Sequence, residues 1–457
     1  MIEVAYYLKP HYHFSAMIGW LNDPNGLIEY KGQYHLFYQF NPHGPIWGKM
    51  HWGHAVSKDL FHWRHLPVAL YPEQPLSEED DSGIFSGSAI EKEDQLFLMY
   101  TQHFDPKIYP DKLKEQQCIA YSRDGVNFEK YPDNPVIATP PNENVHDYRD
   151  PKVFKMSENQ YSCVIGAGEN GVGKVLLYVS NDLLHWRFEN VLCEFDPDRF
   201  GPVIECPDFF LLDGKWVLLF SAGFTTKGTR RNYYAMGDFK DNTFLPKCIE
   251  PMDFANDLYA TQTFMDKKNR RIAIGWLHTP ERNNYTIGEG WAGIMSIPKE
   301  LSIREERLIQ QPVNEFQSLI KEIPVDLKGE NLDKSIDISS LDNCFHFTYK
   351  LEREDFQMVF VSGEDELILD QTLGYFEMTE LRNGLIAYKA AYKMESSVDK
   401  MDIYMDKSSI EIVFNEGEKV GSFRIYPRDV YTDLLIKPFK KEGFSLYRVH
   451  PSFNCLL

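Results

Sequence analysis

The feature that most constrains this chain is a repeat about sixty residues long, since a period of that size dictates architecture before any single motif is read. The stretch "AVSKDLFHWRH" at 55–65 returns as "YVSNDLLHWRF" at 178–188, with a weaker copy, "AYSRDGVNFEK", at 120–130. Each reads as a strand end, a Ser-x-Asp turn and an aromatic residue on a second short strand. Ser57, Ser122 and Ser180 stand 65 and 58 residues apart. A second series runs out of phase with the first. "NDPNGLIEYKGQYHLFYQF" begins at 22, "FSGSAIEKEDQLFLMYTQ" at 85, "RDPKVFKMSENQYSCVIGAG" at 149, "ECPDFFLLDGKWVLLFSAG" at 205 and "YATQTFMDKKNRRIAIGWLH" at 259. The starts are 63, 64, 56 and 54 residues apart. Each begins with small or polar residues, runs on as an apolar strand, turns and comes back as a second apolar strand, and helical periodicity is scarce.

Two strands from each series give a four-stranded antiparallel blade, and five such beats fill residues 1–300. The predicted fold is all-β, a five-bladed β-propeller, because a β-sandwich does not explain a near-constant period. If the second series supplies the innermost strands, Asp23, Ser86, Asp150, Glu205 and Gln262 all start inner strands at one end of a single channel. Residues 301–323 read as a linker with a short helix in "VNEFQSLIKEI", and residues 324–457 as a C-terminal β-sandwich of alternating strands such as "SIEIVFNEG".

Composition excludes several classes of function. The formal charge of −20, with no basic stripe, argues against nucleic acid and anionic membranes as partners. No segment approaches 18 consecutive apolar residues, and the start "MIEVAYYLKPHYHF" lacks the pattern of a secretory signal. Seven scattered cysteines show no disulfide framework and no Cys-x-x-Cys pair, so the expected location is the cytoplasm. "GENGVG" at 168–173 has the wrong glycine spacing for a dinucleotide site and reads as a hairpin turn. His51, His54, His62 and His65 are dense, yet their spacing fits no metal signature, and no metal or organic cofactor is expected. A small molecule is the expected partner.

The acids at the inner-strand starts suit glycoside hydrolysis, which needs one ionised carboxylate and one protonated carboxyl across a sugar ring. Asp23 suits the nucleophile, because the turn "NDPNG" should surround it with donors that favour its charged form. Glu205 suits the acid/base, since its apolar neighbours in "VIECPDFF" should disfavour charge. Asp150, behind Arg149, suits a grip on sugar hydroxyls. Trp20, Trp47, Phe85, Tyr259 and Trp276 lie in or near the same starts, where aromatic rings stack on sugar faces. Cys206 reads as a buried small residue. Asp208 is a fourth acid, but strand alternation turns it to the other face.

The ordered set "WLNDPNG", "FSGSA", "RDP" and "ECPD" resembles glycoside hydrolase family 32, the invertases, sucrose-6-phosphate hydrolases and fructan hydrolases. The resemblance covers nearly the whole chain and implies a propeller joined to a C-terminal sandwich. It implies Asp23 as nucleophile, Glu205 as acid/base and Asp150 as transition-state stabiliser. It also implies substrate contacts from Trp20, Leu21, Asn22, Gln39, Trp47, Phe85, Ser86, Arg149, Tyr259 and Trp276. The activity it implies is retaining cleavage of a terminal β-fructofuranosyl bond in sucrose, sucrose 6-phosphate or short fructo-oligosaccharides. The rival readings are an inverting arabinan-type hydrolase on the same propeller and a non-catalytic sugar-binding propeller. A phosphate on the substrate would have His43, Lys49 or Arg282 as candidate partners.

Overall fold

Apolar and aromatic runs such as Gln33–Asn41, "QYHLFYQFN", cannot be left in water, and their β-rich composition pairs them as strands. The computed structural model describes residues 7–72, 77, 79–223, 230–278, 284–328, 335–351, 355–372, 374–394, 398–439 and 441–452. They divide into two units, one of residues 14–252 and 256–303, the other of residues 1–13, 253–255 and 304–457.

The first unit holds five antiparallel sheets, each begun by an inner strand: β1 (Gly19–Tyr30), β2 (Gly83–Lys92), β3 (Val145–Ser157), β4 (Ile204–Leu212) and β5 (Leu258–Met265). Each inner strand abuts the next, and β5 abuts β1, so the sheets close a ring as blades of a propeller. Closure is reinforced by Trp291–Ala292, which pairs in parallel with Gly19 and Trp20 on the free edge of β1. Between blades the faces are dry. Phe37, Trp52, Leu98 and Tyr100 are at most 1% exposed and pack the first blade on the second. Burying each such side chain is worth about 1.5–3 kcal/mol.

The shorter repeat has a physical cause. Asp59 Oδ1 accepts the backbone N–H groups of Phe61 (3.1 Å) and His62 (2.8 Å), and Asp182 Oδ1 accepts those of Leu184 (2.9 Å) and His185 (2.8 Å). The turn leaves Leu60 and Leu183 in the left-handed region, at φ 68° and 77°. Their carbonyls then accept hydrogen bonds from the indole N–H groups of Trp63 (2.8 Å) and Trp186 (2.7 Å). Asp124 makes the same turn in the weaker copy, bonding the amides of Val126 and Asn127 at 2.8 Å.

The second unit has two sheets around one core. One orders Ile320–Ile323, Phe444–Val449, Cys344–Lys350, Lys400–Asp406, Ser409–Phe414 and Lys419–Arg424; the other runs from Leu327–Lys328 to Leu385–Lys393. Phe345, Phe347, Met358, Phe360, Leu369 and Ile412 are fully buried between them. This is the expected β-sandwich. The expected linker is corrected: residues 301–312 fall in the strands Lys299–Arg304 and Arg307–Pro312. The expected helix is corrected too. Only one 3-10 turn forms, at Asn314–Ser318, with no side-chain cap, and Ile320–Ile323 is a strand paired with Phe444–Val449. Pairing across the sheet outweighs the helical preference of so short a segment.

Residues 7–13, read with the propeller, group with this unit because Asp406 holds them. Its fully buried carboxylate accepts the amides of His11 (2.7 Å), Tyr12 (3.0 Å) and His13 (3.0 Å), and pairs with the His13 ring at 2.9 Å. Residues 253–255 also belong here: the Phe254 ring packs among Phe376, Phe414 and Phe423.

Candidate active site

Every inner strand breaks its pairing at a corresponding level. In β1, Leu21 pairs with Phe40 and Pro24 with Tyr38, so Asn22 and Asp23 together face one residue. In β2 the extra residue is Ser86, between the Phe85–Thr101 and Gly87–Tyr100 pairs. In β3 the surplus falls on Asp150 and Pro151, in β4 on Cys206 and Pro207, and in β5 on Ala260 and Thr261. These are β-bulges, which re-aim side chains and tolerate proline because no ladder N–H is needed there. Asp150 (φ 64°), Cys206 (φ 49°) and Ala260 (φ 52°) occupy the left-handed region at this level. "NDPNG" is therefore no turn but a bulge inside a strand, and the expectation that these residues begin their strands gives way to one level of bulges around the ring.

The bulges bring three carboxyls together. Asp23 Oδ1 accepts from the Asn22 amide at 3.1 Å, and its Oδ2 accepts from the Ser86 hydroxyl at 2.6 Å. Asn22 is itself fixed by the Trp20 indole N–H, 2.8 Å from its Oδ1. Asp150 Oδ2 accepts the Cys206 backbone N–H at 2.8 Å. The Cys206 sulfur lies 3.6 Å from Asp23 Oδ2 and 3.5 Å from Asp150 Oδ2, and burial together with Asp150 and Asp23 pushes its thiol well above the usual range. It is therefore an S–H donor to both acids. Glu205 Oε1 accepts from Arg149 Nη2 at 3.0 Å and its Oε2 from the Tyr259 hydroxyl at 2.5 Å. Arg149 spends its other terminal nitrogen on Glu115 (2.9 Å) and Asp147 (3.1 Å).

The electrostatics differ from expectation at both catalytic candidates. The donors to Asp23 are the side chains of Asn22, Ser86 and Cys206 rather than turn amides. Burial raises its pKa, with Glu205 adding to the rise and the Ser86 and Asn22 hydrogen bonds opposing it. Glu205 meets a guanidinium and a phenol instead of apolar neighbours. Asp150 is pushed up to about 7, by burial first and by Asp23 and Glu205, against the pull of Arg149. Acids this close cannot all ionise without cost, so the set retains a proton near neutrality. The fold can thus present an ionised carboxylate and a carboxylic acid together.

These groups line a cavity of about 850 Å³, within the usual size range of small-molecule sites. Trp20, Asn22, Gln39, Trp47, Phe85, Ser86, Arg149, Tyr259 and Trp276 line it with the three acids, as expected. Phe85 lies flat on His103, with ring centroids 4.1 Å apart and an interplanar angle of 3°. Leu21 is a correction: it is fully buried and does not line the cavity, because alternation points it opposite to Trp20. Gln262 is another. It lies beneath the acids, donating to the Cys206 carbonyl at 3.0 Å and accepting from Lys152 at 3.1 Å. Asp208, fully buried, pairs with Lys152 at 2.9 Å, away from the cavity as alternation requires. His43 and Lys49 do not line the cavity, and Arg282 lies outside the described residues.

Sequence reasoning missed Glu115, Asp147, His103, Arg230 and His278 as lining residues, and Cys206 as more than a filler. Asp147 and His278 had a signal, each two positions from a chosen residue and so on its side of a strand. Glu115 and Arg230 had none.

The sequence profile of the Glycosyl hydrolases family 32 N-terminal domain matches residues 13–312, and that of the family's C-terminal domain matches residues 317–451. The chain is 35% identical to a sucrose-6-phosphate hydrolase of Escherichia coli, over 96% of this chain and 92% of that one. It is 34% identical to a raffinose invertase of Escherichia coli, over 92% and 90%. Among solved structures, it matches the family 32 β-fructofuranosidase of Bombyx mori with a TM-score of 0.83 and 32% identity, over 98% and 95%. The sucrose-6-phosphate hydrolase of Lactobacillus gasseri matches with a TM-score of 0.82 and 27% identity, over 98% of this chain and 94% of that one.

Proposed function

The chain belongs to glycosyl hydrolase family 32, and from that premise we propose how its cavity works. The protein is a β-fructofuranosidase that cleaves the terminal β-D-fructofuranosyl bond of sucrose or sucrose 6-phosphate, with short fructo-oligosaccharides as further substrates. Asp23 attacks the anomeric carbon while Glu205 protonates the departing oxygen. Glu205 then deprotonates the water that opens the fructosyl ester on Asp23. Asp150 accepts hydrogen bonds from fructosyl hydroxyls. Those donors favour its ionised form on binding.

The observation that carries this reading is the convergence of three carboxyls from β1, β3 and β4 at one level of the ring, two of them bridged by Cys206. Trp20 and Trp276, whose ring centroids are 5.8 Å apart, offer an apolar wall for the sugar. Among the described residues no helix is long and apolar enough to cross a membrane. We assign the enzyme to the cytoplasm on its cysteine usage.

The test is hydrolysis in the presence of methanol. Release of fructose from sucrose or its 6-phosphate, with methyl β-fructofuranoside as the trapped product, is expected from two displacements. Methyl α-fructofuranoside would indicate a single displacement and recast Asp23 and Glu205 as base and acid.

A further inference from the structure

Asp150 stands where its own sheet gives it no support. The β3 ladder passes from Arg149, opposite Gly166, to Lys152, opposite Val164, and skips Asp150 and Pro151. Asp150 sits at φ 64°, a conformation that an aspartate holds only when its surroundings impose it. What imposes it comes from the second blade. The Asp150 backbone N–H donates to the Thr101 hydroxyl at 3.1 Å. The Ser88 hydroxyl donates to the Pro151 carbonyl at 2.8 Å and accepts the Val153 N–H at 2.9 Å. The Asp150 amide and the Pro151 carbonyl are thus partnered across the blade boundary.

Thr101 is itself fixed. It lies on the strand Gln95–His103, paired on one side with Phe85, next to the Ser86 bulge, and on the other with Gln117. A hydroxyl has one proton to give. Thr101 gives it to Gln117 Oε1 at 2.7 Å, so a lone pair is left for the Asp150 amide. Gln117 in turn donates from Nε2 to the Tyr148 carbonyl at 2.9 Å, two residues before Asp150. Its backbone is held as well: its N–H donates to the Ile137 carbonyl at 3.0 Å, and its carbonyl accepts the Val136 N–H at 2.9 Å. Thr101 and Gln117 are fully buried, and neither lines the cavity. Their side-chain hydrogen bonds therefore serve the β3 backbone rather than a ligand.

The consequence reaches the acids. Asp150 Oδ2 accepts the Cys206 N–H at 2.8 Å, and Cys206 follows Glu205, the proposed acid/base. A line of hydrogen bonds thus runs from Gln117 through Thr101 and Asp150 into β4. We propose that Thr101, with Gln117 behind it, is a positioning residue for Asp150, holding the left-handed bulge that aims its carboxylate at the fructosyl hydroxyls. This rests on the fructofuranosidase reading above, in which Asp150 accepts hydrogen bonds from those hydroxyls. Comparable bonds cross two other blade boundaries. The Gly87 N–H in β2 donates to Asn25 Oδ1 at 3.3 Å, and the Ala260 N–H in β5 donates to the Ser221 hydroxyl at 3.1 Å. Of these three strands, only β3 holds an acid in this way.

The test is a double-mutant cycle on hydrolysis of sucrose or its 6-phosphate, with kcat and KM read separately in the parent, Thr101→Val, Asp150→Asn and the pair. Valine keeps the shape and removes the acceptor, and misplacing a reacting group by about 1 Å costs on the order of 10²-fold. Thr101→Val should therefore lower kcat per folded enzyme by about 10- to 10²-fold, with a smaller change in KM. Thr101→Ser, which keeps the hydroxyl, should stay within about threefold of the parent. In the Asp150→Asn background, Thr101→Val should cost little further kcat, because the two residues act as one unit, whereas independent losses multiply. Gln117→Met removes the acceptor that orients the Thr101 hydroxyl, and it supplies the same cycle if Thr101→Val does not fold. Parental kcat in the folded variant, or losses that multiply in the pair, overturns the positioning role and leaves the fructofuranosidase reading intact. Parental kcat in Asp150→Asn overturns the role of Asp150 as well. A parent enzyme that releases fructose from neither sugar overturns the reading itself.

Discussion

The hydroxyl of Ser86 donates a 2.6 Å hydrogen bond to Oδ2 of Asp23, joining bulges on adjacent inner strands 63 residues apart in sequence. It opposes the rise that burial imposes on the Asp23 pKa. The nucleophile is lost when Asp23 is protonated, so the acidic limb of kcat/KM should lie above the ordinary aspartate value of 3.8. Ser86→Ala removes a bond that favours the charged form, and the acidic limb should move to higher pH. An acidic limb that stays put in Ser86→Ala would mean that this hydroxyl does not tune Asp23.

Asp23→Asn should fold and bind sugar but lose at least about 10³ in kcat, because an amide does not form the ester. Calorimetric binding of sucrose beside a turnover assay tests this. Retention of more than a few per cent of kcat would displace Asp23 as nucleophile.

Asp150→Asn should cost roughly 10²–10⁴ in kcat with a smaller change in KM, since hydrogen bonds from hydroxyls to a charged acceptor are worth about 1.5–3 kcal/mol each and strengthen as the fructosyl ring gains positive charge. A loss confined to KM would reduce Asp150 to ground-state binding.

With Glu205→Ala, a fructoside whose leaving group needs no proton should still transfer its fructosyl group to Asp23 and then stall. Azide needs no general base, so it should restore turnover and yield β-fructofuranosyl azide. Failure of azide to accelerate such a substrate counts against the acid/base role.

The anchor in the second unit gives a stability prediction. Asp406→Ala strands two buried amides, the half-buried one of His11 and the His13 ring, at about 1–3 kcal/mol per buried unsatisfied group. The loss should be at least about 3 kcal/mol by urea unfolding. Despite burial, His13 and the amides hold the Asp406 pKa below 3.8, so its contribution is present above that value and fades as pH falls through the lowered one. His13 is raised above 6.5 by Asp406 and Glu411, against burial, so its contribution is full below 6.5 and fades as pH rises through the raised value. The parent-to-variant difference should therefore be largest between about pH 4 and 6.5. A difference independent of pH would mean that the ion pair adds nothing beyond packing.

The sequence disclosed the blades because their period survives in side chains that make the same turn: Asp59, Asp124 and Asp182 do so in three copies. It disclosed Asp23, Asp150 and Glu205 because they share a phase of that period. The bulges were hidden, since a bulge is a relation between two strands and only one is read at a time. Hence Asn22 and Asp23 looked like a turn and Gln262 like a lining residue. Arg149 was visible, but its grip on Glu115, 34 residues earlier, was not. The anchoring of His11 to Asp406, 395 residues away, left no local trace at all. The helix expected within 313–323 failed for the same reason, because its pairing partner Phe444–Val449 lies far along the chain.

The parallel pairing of Gly19 and Trp20 with Trp291 and Ala292 sets a timetable for the protein's birth. The strand that carries Asp23 leaves the ribosome first, and the residues that cover its free edge leave some 270 residues later. At a synthesis rate of about 5–20 residues per second, that edge waits roughly 14–54 seconds for its partner. Before that interval ends the nascent chain owns all three acids, yet it still presents an open β-edge of the kind that invites pairing with a neighbouring chain. Crowded polysomes are therefore where this enzyme is most exposed to misassembly, and a message truncated before codon 291 yields a product that keeps all three acids and lacks the residues that cover the edge of β1.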